Sequence, residues 1–336
     1  MILDGFAPES IASGARSICA GELLGLPTET VYGLAADADN QAAIAKIFAA
    51  KGRPADHPLI VHVPDSASAD HFAARVPDFA RQLMQAFWPG PLTVILPRQP
   101  GVAGSAAGGQ DSIGLRCPAH PVAQALLQAC QGLGVWGIAA PSANQFGRVS
   151  PTTAQHVQGE FGDSLVILDG GPCAIGIEST IIDCTRGQPV LLRPGAITPA
   201  QIQSACGQRV LSKEELLAHA APAPRASGTL ESHYAPKAKV RLMDAKTLQT
   251  ALDLLGADID GAGQVIATYS RVILQSRSMK VLRRRMPDDA AATAQQLFAV
   301  LREFDAQGVK LIWVETPPDE PEWDGVRDRL ERAAAG

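Results

Sequence analysis

Short apolar runs, most of them bounded by Gly, Pro or Asp, recur along the first 210 residues and predict the strands of a sheet. The predicted strands are Ile60–Val63, Leu92–Leu96, Ile113–Arg116, Val135–Ala140, Leu165–Leu168, Ser179–Asp183 and Val190–Arg193. Between them, apolar residues at three- and four-residue steps predict helices over Ala42–Ala50, Pro77–Phe87 and Val122–Cys130. We therefore expect residues 1–210 to form one mixed α/β domain.

The pattern changes after residue 210. Residues 211–238 include the run APAPRASGTLESHYAPK, which has little periodicity and indicates an extended linker. Beyond it, parallel strands are predicted at Lys239–Met243, Gln264–Tyr269 and Val309–Val314, alternating with helices at Lys246–Leu255 and Ala290–Gln307. Residues 239–336 thus predict a smaller open α/β domain. It contains neither GxGxxG nor GxxxxGK[ST], so its simplest interpretation is a packing or positioning role.

Composition narrows the class of protein. Hydrophobic residues make up 46% of the 336 and charged residues 19%, as in soluble globular enzymes. No signal peptide or membrane-spanning run is evident, which predicts a cytoplasmic protein without membrane contact. The six cysteines form no CxxC pair and the seven histidines no HExxH pattern, so no protein-held metal site is predicted. A net charge of −5 argues against a dedicated nucleic-acid binder and leaves only transient RNA contact through local basic patches.

Candidate chemistry is concentrated between Leu26 and Val63. Hydroxyl groups follow a short apolar run where a strand is expected to end, and cations and imidazoles follow the helix predicted over Ala42–Ala50. Lys51 beside Arg53 suits a polyphosphate, because an arginine can bind two oxygens at once. Cations at the end of a solvated helix also complement its dipole, and the spacing alone favours this second interpretation.

Further candidates lie where other predicted strands meet loops. Arg116 ends one strand, the PSAN run (141–144) follows another, and Arg193 ends a third. Ligands often bind at strand ends in open α/β sheets, although Ser and Asn are equally common in ordinary turns. No hydroxyl has an evident base beside it, which disfavours nucleophilic catalysis. The residues predict a pocket that binds and orients anions, with rate arising from proximity and charge stabilisation.

Seven motifs together resemble the threonylcarbamoyl-AMP synthase family, the YrdC-type enzymes, in their long two-domain form. In order, they are PTETVYGL (27–34), KGRPADHPLIVHV (51–63), LRCPAHP (115–121), APSAN (140–144), GIESTIID (176–183), LLRPGAI (191–197) and SHYAPK (232–237). The resemblance covers nearly the whole chain. It implies a YrdC-like twisted mixed sheet with helices, a linker and a smaller C-terminal Rossmann-like α/β domain.

The resemblance also implies an activity. Enzymes of this family join L-threonine, bicarbonate or CO2, and ATP into threonylcarbamoyl-AMP and pyrophosphate. A tRNA threonylcarbamoyl transferase complex then modifies the adenosine 3′ of the anticodon. Magnesium is expected on the ATP phosphates, without a dedicated carboxylate cluster to hold it.

The resemblance also implies which residues bind each of the two substrates, threonine and ATP. The predicted threonine site consists of Thr30, His62, Arg116, Ala140 and Ser179, with Arg116 facing the carboxylate. The predicted ATP contacts are Arg53, His57, Ser112, Ser142, Asn144, Ser150, Arg193 and Tyr234. Lys51 and Arg53 are the predicted catalytic cations, and Tyr234 in the linker is predicted to close over the nucleotide. His57 stands where many family members have Asn.

Two other functions remain open at this point. The first is a non-catalytic RNA-binding module of the same fold. The second is a carbamoyl-adenylate-forming enzyme of the hydrogenase-maturation type, although such proteins carry an additional zinc-binding region and this chain has no cysteine pairs.

Overall fold

The computed structural model describes residues 1–213, 215, 224–226, 228, 234–255 and 265–336. The chain forms two compact units, the first comprising Met1–Phe146 and Ser150–Thr229 and the second Gly147–Val149 and Leu230–Gly336. Much of the predicted linker at 211–238, including His233, lies outside the described residues. Its extended conformation and the predicted boundary at 210 therefore stay predictions.

The first unit is built on a mixed sheet, as the sequence predicts. Its strands are β1 (Ile2–Asp4), β2 (Leu24–Leu26), β3 (Gly33–Asp37), β4 (Ile60–His62), β5 (Leu92–Pro97), β6 (Ser112–Arg116), β7 (Ile138–Ala139), β8 (Val166–Asp169), β9 (Thr180–Asp183) and β10 (Val190–Arg193). The spatial order is β1-β8-β2-β3-β7-β4-β6-β5-β9-β10. Pairing is parallel between β4 and β6 and between β5 and β9, and antiparallel between β3 and β7 and between β5 and β6. Strands distant in sequence thus become neighbours at the centre.

Helices of the first unit cover both faces of this sheet. They are α1 (Pro8–Cys19), α2 (Gln41–Lys51), α3 (Ala69–Phe72), α4 (Asp78–Phe87), α5 (Pro121–Gly132), α6 (Ala154–Phe161) and α7 (Pro199–Cys206). Side chains of a strand alternate between faces, so Leu34 and Ala36 enter the cluster formed with α2 and α4, whereas Ala35 enters the one formed with α1 and α5. This two-sided burial explains why residues 33–36 of β3 show no alternation of apolar and polar residues, and why the strand was not predicted.

The strand predicted over Val135–Ala140 is wrong in its extent. Only Ile138–Ala139 is β-strand, because the preceding residues complete the end of α5: the Val135 amide donates to the Cys130 carbonyl at 3.0 Å. Gly137 then passes close to the Phe72 ring, where a Cβ atom would lie 2.7 Å from ring carbons. The other predicted strands and helices of this unit are present with small shifts in their ends, while β1, α1, α3, α6 and α7 were missed.

The second unit contains the predicted parallel sheet. Its strands are β11 (Lys239–Met243), β12 (Ile266–Ser270), β13 (Val281–Arg285) and β14 (Leu311–Glu315), in the order β11-β14-β12-β13 and all parallel. Helices span Ala245–Leu255, Ala290–Ala306 and Asp324–Ala334, and a short 3₁₀ helix spans Pro321–Trp323. The missed strand, β13, has the basic sequence VLRRR and lies at an edge, where exposed charges discourage further pairing. Within the described ranges, no helix has the length and apolarity needed to cross a bilayer.

Candidate active site

The predicted site residues of the first unit lie on adjacent central strands and their flanking loops. Thr30 precedes β3, Ala140 follows β7, His62 ends β4, Arg116 ends β6 and Ser179 precedes β9. These strands lie next to one another in the sheet, with only β5 between β6 and β9. Motifs far apart in the sequence therefore converge on one region.

Arg116 is the centre of the first group of polar side chains. Its guanidinium donates to the Thr30 hydroxyl at 2.7 Å (Nη1) and to the Gly90 carbonyl at 3.2 Å (Nε). Its remaining nitrogen, Nη2, lies 2.6 Å from Glu29 Oε1. Thr28 fixes the loop, because its hydroxyl donates to the Val31 carbonyl at 2.6 Å and accepts from the Thr30 amide at 3.2 Å. A buried guanidinium with hydroxyl neighbours is a suitable carboxylate site.

His62 is the register neighbour of Arg116 in the parallel pair β4–β6, so both side chains lie on the same face of the sheet. Burial, with a further contribution from the Arg116 charge, lowers the pKa of His62 to about 3. The imidazole is therefore neutral at physiological pH. Within the described part of the chain, its Nδ1 has no hydrogen-bond partner, so it can bond a substrate hydroxyl.

The cations predicted for ATP lie at the end of α2. This helix begins at the Asn40 cap, whose side chain accepts from the Ala43 amide, and ends because Gly52 adopts a left-handed conformation (φ +61°). The Lys51 ammonium is buried and donates to the carbonyls of Ser142 at 2.6 Å and Asn144 at 2.5 Å. Burial, reinforced by the nearby Arg53, lowers the pKa of Lys51 to about 7.

Arg53 and His57 lie beside the same loop. Arg53 donates to the Pro58 carbonyl at 2.9 Å, and its guanidinium carbon is 5.9 Å from the centre of the Phe146 ring. The His57 ring contacts the same phenyl edge-to-face at 5.6 Å. Burial, then the charge of Arg53, lowers the pKa of His57, which favours the neutral imidazole. The structure thus brings Lys51, Arg53 and His57 together around the loop at residues 142–146.

Ser179 and Arg193 form a third group at the start of β9. The Ser179 hydroxyl shares a 2.7 Å hydrogen bond with Thr93, and Arg193 donates to it at 3.1 Å and to the Ser179 carbonyl at 2.8 Å. Next to them, the Ser150 hydroxyl donates to the Glu178 carboxylate. Glu178 is close enough to Lys51 to act on its charge, which links this group to the cations at the end of α2.

Gly195 permits the turn after β10 to approach this group. A Cβ atom there would lie 2.5 Å from the Thr180 backbone nitrogen and 2.9 Å from the Glu178 carbonyl oxygen, so Gly195→Ala forces the backbone apart. We expect this variant to lower the free energy of unfolding by about 1–3 kcal/mol in urea denaturation. Gly159→Ala is the matched control, because Gly159 is exposed within α6 with open space around it. It should raise stability by up to about 1 kcal/mol. Equal effects of the two substitutions would contradict the close approach.

Ser112, Ala140 and Tyr234 complete the set of predicted residues. Ser112 begins β6, at the opposite end of the strand from Arg116, and the Ala140 amide donates to the Ile60 carbonyl at 3.1 Å. Tyr234 belongs to the second unit, where its buried ring stacks on Phe298 at 5.6 Å and lies 5.1 Å from the Arg329 guanidinium. Its contact with ATP stays a prediction.

Sequence reasoning missed two buried carboxylates. Glu29 and Glu178 both lie within quoted motifs, PTETVYGL and GIESTIID, but no role was assigned to either. The available signal was an acidic residue next to a hydroxyl residue in an otherwise mostly apolar segment, which is unusual for a buried position. What the sequence did not contain was the identity of the cation that each carboxylate faces.

Comparisons with known proteins identify the family of the chain. The family described as "Telomere recombination" matches residues 16–195, and the one described as "Threonylcarbamoyl-AMP synthase, C-terminal domain" matches residues 197–335. Threonylcarbamoyl-AMP synthase of Bacillus subtilis is 37% identical over 97% of this chain and 93% of its own length. The Pyrococcus abyssi enzyme of the same name is 36% identical over 96% and 94%.

A solved structure matches both units of the chain. The crystal structure of Pyrococcus abyssi Sua5 complexed with L-threonine has a TM-score of 0.87 and 34% sequence identity, covering 99% of this chain and 97% of that one. The two family matches together span residues 16–195 and 197–335. The chain belongs to the threonylcarbamoyl-AMP synthase family.

Proposed function

We propose that this protein catalyses the synthesis of threonylcarbamoyl-AMP and pyrophosphate from L-threonine, bicarbonate or CO2, and ATP. The observation that carries the proposal is the division of one polar region into a carboxylate site at Arg116 and Thr30 and a cation site at Lys51 and Arg53. An amino acid and a polyphosphate need these two kinds of site. Family membership favours this activity over an RNA-binding module or a carbamoyl-adenylate-forming enzyme.

The chain's own residues bind and orient the substrates. Arg116 and Thr30 hold the threonine carboxylate, and neutral His62 and Ser179 are suited to bonding its hydroxyl. Lys51 and Arg53 hold the phosphates and stabilise the charge that develops when a carbamate oxygen attacks the α-phosphate and pyrophosphate leaves. No side-chain nucleophile is needed, since the carbamate is formed on the substrate itself. Rate comes from alignment of the two substrates and from fixed positive charge.

Magnesium is proposed to accompany ATP. No cluster of three or more His, Cys, Asp or Glu residues suited to a metal is found among the described residues. We propose that phosphate oxygens and water hold the ion, because magnesium commonly retains several waters. When bound, it neutralises phosphate charge. Lys51 and Arg53 would contribute positive charge to the same phosphates.

The product is a reactive mixed anhydride, so a following enzyme must use it. We propose that a tRNA threonylcarbamoyl transferase complex is this partner, with at most transient contact between tRNA and the present chain, whose net charge is −5. Cytoplasmic localisation is proposed on the same ground, because the modified substrate is tRNA.

The test is pyrophosphate release from ATP and bicarbonate, measured with and without L-threonine. We expect release that depends on threonine, and a nucleotide product heavier than AMP by the threonylcarbamoyl group in mass spectrometry. Release without threonine would indicate a different acceptor. Binding of RNA with no release under any condition would support the RNA-binding alternative instead.

A further inference from the structure

Glu29 is a buried carboxylate whose oxygens accept no well-directed hydrogen bond from the described residues. The residue is 8% exposed and forms an ion pair with Arg116, whose Nη2 lies 2.6 Å from Glu29 Oε1. That contact is not a well-directed hydrogen bond: among the described residues, neither Glu29 oxygen nor Arg116 Nη2 has a hydrogen-bond partner. An ionised carboxylate can accept about four hydrogen bonds, and buried polar groups are nearly always bonded. The Glu29 carboxylate therefore retains capacity to accept hydrogen bonds from a ligand.

The fold of the surrounding loop does not depend on this carboxylate. The Thr28 hydroxyl bonds the Thr30 amide and the Val31 carbonyl, and the Glu29 carbonyl accepts from the Ile175 amide at 2.8 Å. Main-chain bonds thus fix the direction of the Glu29 side chain toward Arg116. The side chain itself stabilises none of these turns.

Glu315 in the second unit shows what a structural buried carboxylate looks like in this protein. It pairs with Arg271 at 2.6 Å, as Glu29 pairs with Arg116. Glu315 also accepts hydrogen bonds from the Ser270 hydroxyl and from the Arg271 amide, both at 2.7 Å. Its oxygens are therefore satisfied within the protein, whereas those of Glu29 are not.

An α-amino acid is a zwitterion, with a carboxylate and an ammonium group on the same carbon. Binding it in a buried site requires a cation and an anion close together, because each uncompensated charge would lose its hydration without replacement. Arg116 and Glu29 are such a pair, and the substrate exchanges one ion pair for two. A cation alone would accept the carboxylate but leave the ammonium group unmatched.

We propose that Glu29 binds the ammonium group of the amino-acid substrate while Arg116 binds its carboxylate. Glu29 thereby selects α-amino acids over hydroxy acids that lack the amine. This inference rests on the proposed function. A competing role is that Glu29 merely occupies Arg116 and must be displaced, and this role predicts the opposite effect of neutralising it.

The experiment is calorimetric titration of the protein with L-threonine and with (R)-3-hydroxybutanoate, which keeps the carboxylate and hydroxyl groups but lacks the amine. We expect the unsubstituted protein to bind threonine at least about 10-fold more tightly than the analogue, the range that paired charges in buried sites produce. Glu29→Gln should bring this ratio close to one by weakening threonine. Glu29→Asp, which retains the charge with a shorter reach, should restore part of the ratio.

The matched control is Glu315→Gln, which neutralises a buried, arginine-paired carboxylate in the other unit and should leave the ratio unchanged. Tighter threonine binding by Glu29→Gln, or an unchanged ratio, would overturn the proposal. So would equal binding of the two compounds by the unsubstituted protein, a result that needs no variant to fold. Failure of the unsubstituted protein to bind threonine at all would instead refute the proposed function.

Discussion

Arg116→Met is expected to raise the KM for threonine by about 100-fold or more, while the KM for ATP changes by less than about 3-fold. Loss of a buried charge partner costs about 3–5 kcal/mol, and 2.7 kcal/mol already corresponds to about 100-fold in affinity. The Arg116 guanidinium lies within reach of Thr30, Gly90 and Glu29. Lys51 instead donates to the Ser142 carbonyl and Arg53 to the Pro58 carbonyl. The measurement is steady-state pyrophosphate release with each substrate varied in turn.

Measuring the free energy of unfolding distinguishes a loss of threonine binding from a loss of folding. Arg116→Met leaves Glu29 buried without its cation, so the free energy of unfolding should also fall by about 3 kcal/mol. Adding Glu29→Gln removes the unpaired charge and should recover most of this stability without recovering threonine use. Arg81→Met is a control, since Arg81 is exposed and pairs weakly with Asp70 at 3.5 Å. Equal increases in both KM values would contradict the assignment of Arg116 to the carboxylate.

Local pattern was sufficient to predict the elements that carry the cations. Apolar residues at helical spacing predicted α2, and Lys51 does end it. The reason is Gly52 in a left-handed conformation, which ends the helix before Pro54 is reached. Spacing alone favoured a solvated role for Lys51, yet the side chain is 2% exposed. Whether a helix end is buried depends on the loop at 142–146, and helix periodicity carries no information about that contact.

Contacts between side chains from distant segments of the chain could not be predicted from the sequence. Seven motifs in family order were enough to group Thr30, His62 and Arg116, but not to show that Glu29, in the loop before β3, pairs with Arg116 at the end of β6. Strand order at the centre of the sheet alternates between early and late segments, so proximity there follows from topology. Short strands made of small residues, such as β3, also give no alternation because both faces are buried.

Lys51 is expected to make ATP binding dependent on pH. Its pKa of about 7 in the absence of ligand means that the side chain is largely neutral above pH 7 and an ammonium below it. The ATP phosphates favour the charged ammonium form, so ATP binding raises the pKa of Lys51. At a pH where Lys51 of the free protein is neutral, ATP binding is therefore coupled to the uptake of a proton. Affinity for ATP should therefore fall about 10-fold per unit as pH rises beyond 7, with uptake approaching one proton. Calorimetry in buffers of different ionisation enthalpy measures both quantities.

Lys51→Arg isolates this titration from that of ATP and of the neighbouring groups. The charge of Arg53 lowers the pKa of Lys51, whereas the charges of Glu160 and Glu178 raise it. All three residues remain in the variant. A guanidinium stays protonated throughout this range, so the fall in affinity above pH 7 should disappear even if the larger side chain weakens binding overall. Two carbonyl acceptors, from Ser142 and Asn144, remain available to it. If the variant and the unsubstituted protein keep the same proton uptake at pH 8, the proton does not go to Lys51, and the lysine does not face the phosphates as an ammonium.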